Sequence, residues 1–182
     1  MSNDEVKHVG AVAVDDELES VVEQQFPEPD DRDDVRAAYP DGNLKVNELL
    51  YRRVDLEDVV EAHRLALERA PQLGFGRYIV TATTPFTPAD LVELRTDAPA
   101  VVRRLYPGYE ELFAARGWRM LDSVERVYVN ERARRDLGWA PRWDFAHALD
   151  RLRDGGPLRS ELAAAVGVKG YHAESTGIYT VR

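Results

Sequence analysis

Between Arg53 and Phe145 the chain alternates helix-forming and strand-forming stretches, each fenced by its own stop signal. That order constrains the fold more than any other feature. Asp55 stands where an N-cap belongs, Asp58 follows three residues later, and Val59, Val60, Ala62, His63, Ala66 and Leu67 fall on one side of the helix that follows. Pro71 and Gly74 mark its end. The β-rich run Tyr78–Thr83 predicts a buried strand. Thr87-Pro88 opens a helix through Leu94, because proline fits the first helical position. Another helix runs from Tyr109 to Arg116 and stops at Gly117. Val124–Val129 predicts a second strand, and Asn130 caps a helix over Glu131–Leu137 that ends at Gly138. Trp139, Pro141 and Trp143 make an aromatic turn, after which Asp144 caps a helix to about Arg153. His63, on the apolar side of its helix, is expected in or beside the core.

The flanks are less regular. Residues 1–25 form an acidic arm with a short amphipathic stretch, Asp15–Gln25, that is marginal as an isolated helix. The breaker Phe26-Pro-Glu-Pro precedes a charge run and a short helix over Val35–Tyr39. A turn at Pro40–Asn43 then leads into Leu44–Tyr51, a helix or an extended connector. From Gly167 onward the pattern is irregular, with a final strand over Ile178–Val181. Two units follow: the arm, residues 1–25, and a domain over residues 26–182.

Charge also divides the chain unevenly. Residues 1–43 hold 13 acidic and 3 basic side chains, a net of −10, which leaves 20 and 21 for the rest, so the acidity belongs to the N-terminal end and the body is near neutral. A near-neutral body argues against nucleic-acid binding, which needs a basic surface to displace phosphate counterions. No run approaches the roughly 18 apolar residues of a membrane helix. The chain has no cysteine, which excludes disulfides and thiolate metal sites and fits a cytoplasmic protein.

The stretches RVDLEDVVEAHRLALERA (Arg53–Ala70), GRYIVTATTPFTPADLVEL (Gly76–Leu94) and SVERVYVNERARRDLGWAPRWDF (Ser123–Phe145), in that order, resemble the NAD(P)-dependent epimerase/dehydratase family of extended short-chain dehydrogenases. The resemblance runs over roughly Phe26 to Tyr171 and corresponds to that family's C-terminal, substrate-binding portion. It implies an α/β architecture: a partial Rossmann-like fold with a small substrate lobe, helix-rich with few strands. It also implies an apolar face where a cofactor-binding half would pack.

Two signatures of the family's chemistry are missing from these residues. One is the glycine-rich turn after a strand, where helix N-terminal amides hold the dinucleotide pyrophosphate. Gly74-Phe-Gly76 precedes a strand and lacks the third glycine. The other is a tyrosine with lysine four places on, and none of the eight tyrosines has one. No catalytic, cofactor-binding or metal-binding residue is therefore assigned. NAD or NADP belongs to the parent family, and none is expected to bind this chain alone. His147 has no second ligand at metal spacing, and no serine sits in a nucleophile-elbow context.

What remains is substrate binding. The resemblance places Arg52 and Arg53 near a nucleotide-sugar substrate, where an arginine fork holds a diphosphate; an ordinary surface pair fits the same two residues. Asp55 stands at a position that the family often fills with histidine. Tyr171 and His172 either close over a substrate or pack against the domain. The hydroxyls of Thr81, Thr83 and Thr84 either serve a ligand or finish a strand. Arg103-Arg104 and Arg134-Arg135 read as solvated helix faces. Three functions fit: a fragment with substrate-binding capacity and no turnover alone, one chain of a split oxidoreductase with a Rossmann-half partner, or a non-catalytic binding or assembly module. A homo-oligomer is the other expected partner arrangement.

Overall fold

The computed structural model describes residues 38–167 and the backbone of two short strands, Gly170–Tyr171 and Thr180–Val181. The expected arm, the boundary at residue 26 and the expected helices Asp15–Gln25 and Val35–Tyr39 lie wholly or largely outside the described residues, as does His172. The described part is helix-rich with few strands, as the sequence implies.

Helix α1, Asp41–Glu48, takes in most of the expected turn at Pro40–Asn43 and bears out the helical alternative for Leu44–Glu48. Asn43 and Asn47 share its buried side and hold one strand-like loop: both side-chain amides donate to the Arg119 carbonyl at 2.9 and 3.0 Å, and Asn43 Oδ1 accepts from the Arg119 amide at 3.1 Å. Helix α2, Leu56–Leu73, follows the predicted cap, with Asp55 accepting from the Glu57 amide at 2.9 Å. Pro71 lies inside the last turn and does not end it; Gly74, at φ 63°, does. His63 is exposed and its Nδ1 meets the Val59 carbonyl at 2.8 Å, so the core placement expected for it is wrong. The helix is broad in its polar face, and only Asp58 and Ala62 are fully buried.

The two expected strands are the main correction. Tyr78–Thr83 and Val124–Val129 carry no helix, turn or bend, yet neither enters a ladder. Each is pinned by isolated bonds instead. The Ala82 amide donates to the Arg53 carbonyl at 2.7 Å, the Tyr128 amide to the Tyr51 carbonyl at 2.8 Å, and the Val124 amide to the Leu94 carbonyl at 2.7 Å. β-Propensity is satisfied by any pleated, half-buried environment and does not by itself supply a partner strand. The only ladder among the described residues is a two-residue parallel pair, β1 (Gly170–Tyr171) and β2 (Thr180–Val181), with Gly170 opposite Thr180.

Thr87 opens a 3₁₀ turn, Pro88–Asp90, that runs into α3, Leu91–Leu94. Asp90 reaches back to accept from both the amide and the hydroxyl of Thr87, at 2.8 and 2.7 Å. Helix α4, Ala98–Leu105, was not foreseen; Asp97 caps it by accepting from the Ala100 amide. Helix α5 covers Tyr109–Ala114. Helix α6, Glu131–Leu137, starts at Asn130, but the buried Asn130 side chain does not cap it. Its amide donates instead to the Thr81 carbonyl at 2.8 Å and to Thr83 Oγ1 at 3.1 Å, tying the two strand-like segments together. Asp144 caps α7, Phe145–Asp154, as predicted, accepting from the His147 amide at 2.9 Å. Helix α8, Glu161–Val166, was also missed because its alanines show no apolar period.

Two packed regions result. In one, Ala62, Ala133, Leu137 and Trp139 join α2 to α6, flanked by Val54, Leu65, Tyr78 and Val80. In the other, aromatic rings meet edge to face: Tyr106 on Phe145 at 5.0 Å, Tyr109 on Phe113 at 5.3 Å and Phe113 on Trp118 at 5.8 Å. Burial pushes the Tyr106 hydroxyl up to about 12, with Asp144 adding to the effect, and burial also raises Tyr39 and Tyr109. An acid whose folded pKa is raised stabilises the fold below its ordinary pKa and withdraws that contribution as pH climbs through the folded value. Ultraviolet titration should therefore find these three tyrosines ionising above the ordinary phenol range, with stability falling between pH 10 and about 12.

The N-terminus of α8 is latched to that of α2. Ser160 accepts from the Ala163 amide at 3.0 Å to cap α8, while its hydroxyl and amide both donate to the Asp55 carboxylate, at 2.5 and 3.0 Å. Ser160→Ala removes the cap and the hydroxyl bond together. The expected cost is about 1–2 kcal/mol, read as a lower urea midpoint with unchanged slope.

Candidate functional site

The last turn of α1 brings two cations to one buried carboxylate. The Glu48 carbonyl accepts from the amides of Tyr51, Arg52 and Arg53 at 3.1, 2.9 and 2.9 Å, so the chain folds tightly back over the helix end. Both guanidinium groups thereby reach the Glu48 side chain: Arg52 Nη2 donates to Oε1 at 2.5 Å and Arg53 Nη1 to Oε2 at 2.7 Å. The carboxylate is 4% exposed and the arginines 37% and 35%. A negative charge is thus sunk below two half-exposed positive ones. The Arg52 guanidinium also lies 5.4 Å from the centre of the Tyr51 ring.

Backbone contacts fix this cluster in place. The Arg53 carbonyl accepts from the Ala82 amide and, at 3.0 Å, from Thr81 Oγ1. The pair therefore sits where residues 51–53, 78–83 and 128–130 converge. Two guanidinium groups face one carboxylate, and forked donors of this kind suit a planar or tetrahedral anion.

The other expected site residues are not gathered here by anything described. Tyr171 contributes its backbone to β1. Thr81, Thr83 and Thr84 are occupied by Arg53, Asn130 and the Phe86 amide, in a segment that is neither ladder nor turn. Arg103 pairs with Glu110, and Arg104 with Asp90 and Glu93, on exposed helix faces. Among the described residues no three metal-ligating side chains cluster, and no helix is long and apolar enough to cross a membrane.

A second polar centre was not foreseen. The N-terminal half of α2 borders an open groove of about 460 Å³ lined by Glu57, Asp58, Glu61, Ala140 and Arg142, among others. Its carboxylates are already engaged. Asp58, 3% exposed, accepts from the amides of Arg142 and Trp143 at 3.0 and 2.9 Å. Glu57 takes Trp143 Nε1 at 3.0 Å and Arg142 Nη2 at 2.7 Å. Glu61 binds Arg64. Burial raises the Asp58 pKa, while the two amide bonds oppose the shift. The sequence signal was present, since an aspartate at the third helical position beside an aromatic-proline turn is a docking point, but the turn lies 84 residues away. The groove is a fastening between α2 and the aromatic turn.

No protein-family model, curated protein or solved structure matches this chain.

Proposed function

We propose that this chain is the C-terminal, substrate-side portion of an NAD(P)-dependent sugar-nucleotide epimerase/dehydratase-like oxidoreductase, binding a nucleotide sugar and not turning it over alone. The observation that carries the reading is the Arg52–Arg53 fork on buried Glu48. It offers a diphosphate two half-exposed guanidinium groups whose positions are fixed before the ligand arrives, which lowers the entropy cost of binding. The sequence resemblance places these residues beside the substrate, and the absence of a glycine-rich turn and of a tyrosine–lysine pair from the 182 residues fits binding without hydride transfer.

Calorimetric titration of the full chain with NAD, NADP and a panel of nucleotide sugars tests it. Nucleotide sugars should bind and the dinucleotides should not. Arg53→Ala should weaken nucleotide-sugar binding by tenfold or more, in line with about 1.5–3 kcal/mol for a charged hydrogen bond. Tight NAD or NADP binding would overturn the reading. A two-chain oxidoreductase is the second reading. It is favoured by exposed apolar side chains on α2 and just beyond it: Val60, Leu67, Phe75 and Ile79.

A further inference from the structure

Residues 77–80 combine three properties that a finished surface segment rarely shows together. They are free of helix, turn and bend, and exposure alternates with period two: Arg77 and Ile79 outward, Tyr78 and Val80 partly covered. That is the pleat of a strand. Within the described structure the backbone amides and carbonyls of Tyr78, Ile79 and Val80 bond to no other backbone group. Ile79 nevertheless shows 46% of its surface to solvent. The segment is held rigidly at its far end by Thr81 and Ala82, so the open groups stay aligned and do not curl into a turn.

Charge narrows the occupant. Arg77, at the start of this edge, has no ion pair or hydrogen bond among the described residues; the Arg132 guanidinium, 5.3 Å from the Tyr78 ring centre, is already paired with Asp136. An edge with unpaired backbone groups, an apolar outward residue and an unpaired arginine at one end accepts a strand of complementary pattern. We infer that residues 77–80 are a strand-accepting edge, whose occupant is an extended segment of a separate polypeptide with alternating apolar residues and an acidic end placed against Arg77. This deepens the two-chain reading by stating what the partner must present. It does not depend on nucleotide-sugar binding at Arg52 and Arg53.

The test uses the full chain and labelled synthetic peptides, Glu-Glu-Val-Thr-Val-Thr-Val and Val-Thr-Val-Thr-Val-Glu-Glu, read by fluorescence anisotropy. One of the two should bind, and which one reports whether the added strand runs parallel or antiparallel. Methylating alternate backbone nitrogens of that peptide should weaken binding at least tenfold, because it removes the ladder donors and leaves the side chains unchanged. Arg77→Glu should reverse the preference in favour of the Lys-Lys counterpart; Arg77 is exposed and unpaired, so this variant should fold. Failure of both peptides to bind overturns the inference, as does equal binding of methylated and unmethylated forms. Self-association abolished by Ile79→Lys would also overturn it, by giving the edge to a second copy. Nucleotide-sugar titration of the same samples reports separately on the arginine fork.

Discussion

Trp139→Ala should be the most damaging single substitution in the described structure, lowering stability by about 4–6 kcal/mol. The indole is 1% exposed and packs with Ala62, Ala133 and Leu137, so its removal leaves a cavity between α2 and α6 that two alanines are too small to fill. Truncating a buried aromatic of this kind costs about 3–5 kcal/mol. The indole Nε1 also donates to the Asp58 carbonyl at 3.0 Å inside α2, a buried bond worth about 1 kcal/mol net. Chemical denaturation followed by circular dichroism measures the sum. Trp139→Phe keeps most of the ring and loses the donor, so it should recover more than half of the deficit. If Trp139→Ala costs under 2 kcal/mol, the α2–α6 packing is not what holds these helices.

Asp58→Ala should cost about 3–5 kcal/mol, although it removes a charge from a place where charge is unfavourable. The carboxylate is the sole acceptor shown for the Arg142 and Trp143 amides, and truncation leaves both donors without it. Its pH dependence has a definite sign. The folded pKa is raised, with burial the leading cause, so the folded state holds this proton more tightly than the unfolded chain does. The group's stabilising contribution is therefore fully present below the ordinary carboxylate pKa and declines as pH rises through the folded value. Stability of the native chain relative to Asp58→Asn should accordingly fall as pH rises above the ordinary carboxylate range; a rise there would mean that the amide bonds outweigh burial. Because Asp58 and Trp139 share one network, the double variant should cost less than the sum of the singles.

The two residues also explain what could be read from the chain. Local signals placed two of the helices that carry their own caps, Asp55 for α2 and Asp144 for α7, where a short side chain meets an amide two or three residues on. Gly138 and Gly155 end their helices at φ 66° and 70°, a conformation that glycine adopts without strain. The pattern failed where the partner is remote. Asn130 has the right chemistry and position to cap α6, but Thr81 and Thr83, almost fifty residues earlier, claim its amide. His63 sits among apolar residues in helical register, yet it is exposed.

The sequence by itself determined helices α2, α3, α5, α6 and α7, where most of them begin and stop, and that Tyr78–Thr83 and Val124–Val129 would be strand-like, because propensity, caps and turns act over a few residues. Only the tertiary structure decided that those segments stay unladdered, that Glu48 is sunk beneath Arg52 and Arg53, and that Asp58 fastens a turn 84 residues away. Those outcomes depend on which distant groups arrive at a buried polar atom, and burial makes that match a matter of several kcal/mol where local propensity offers less than one.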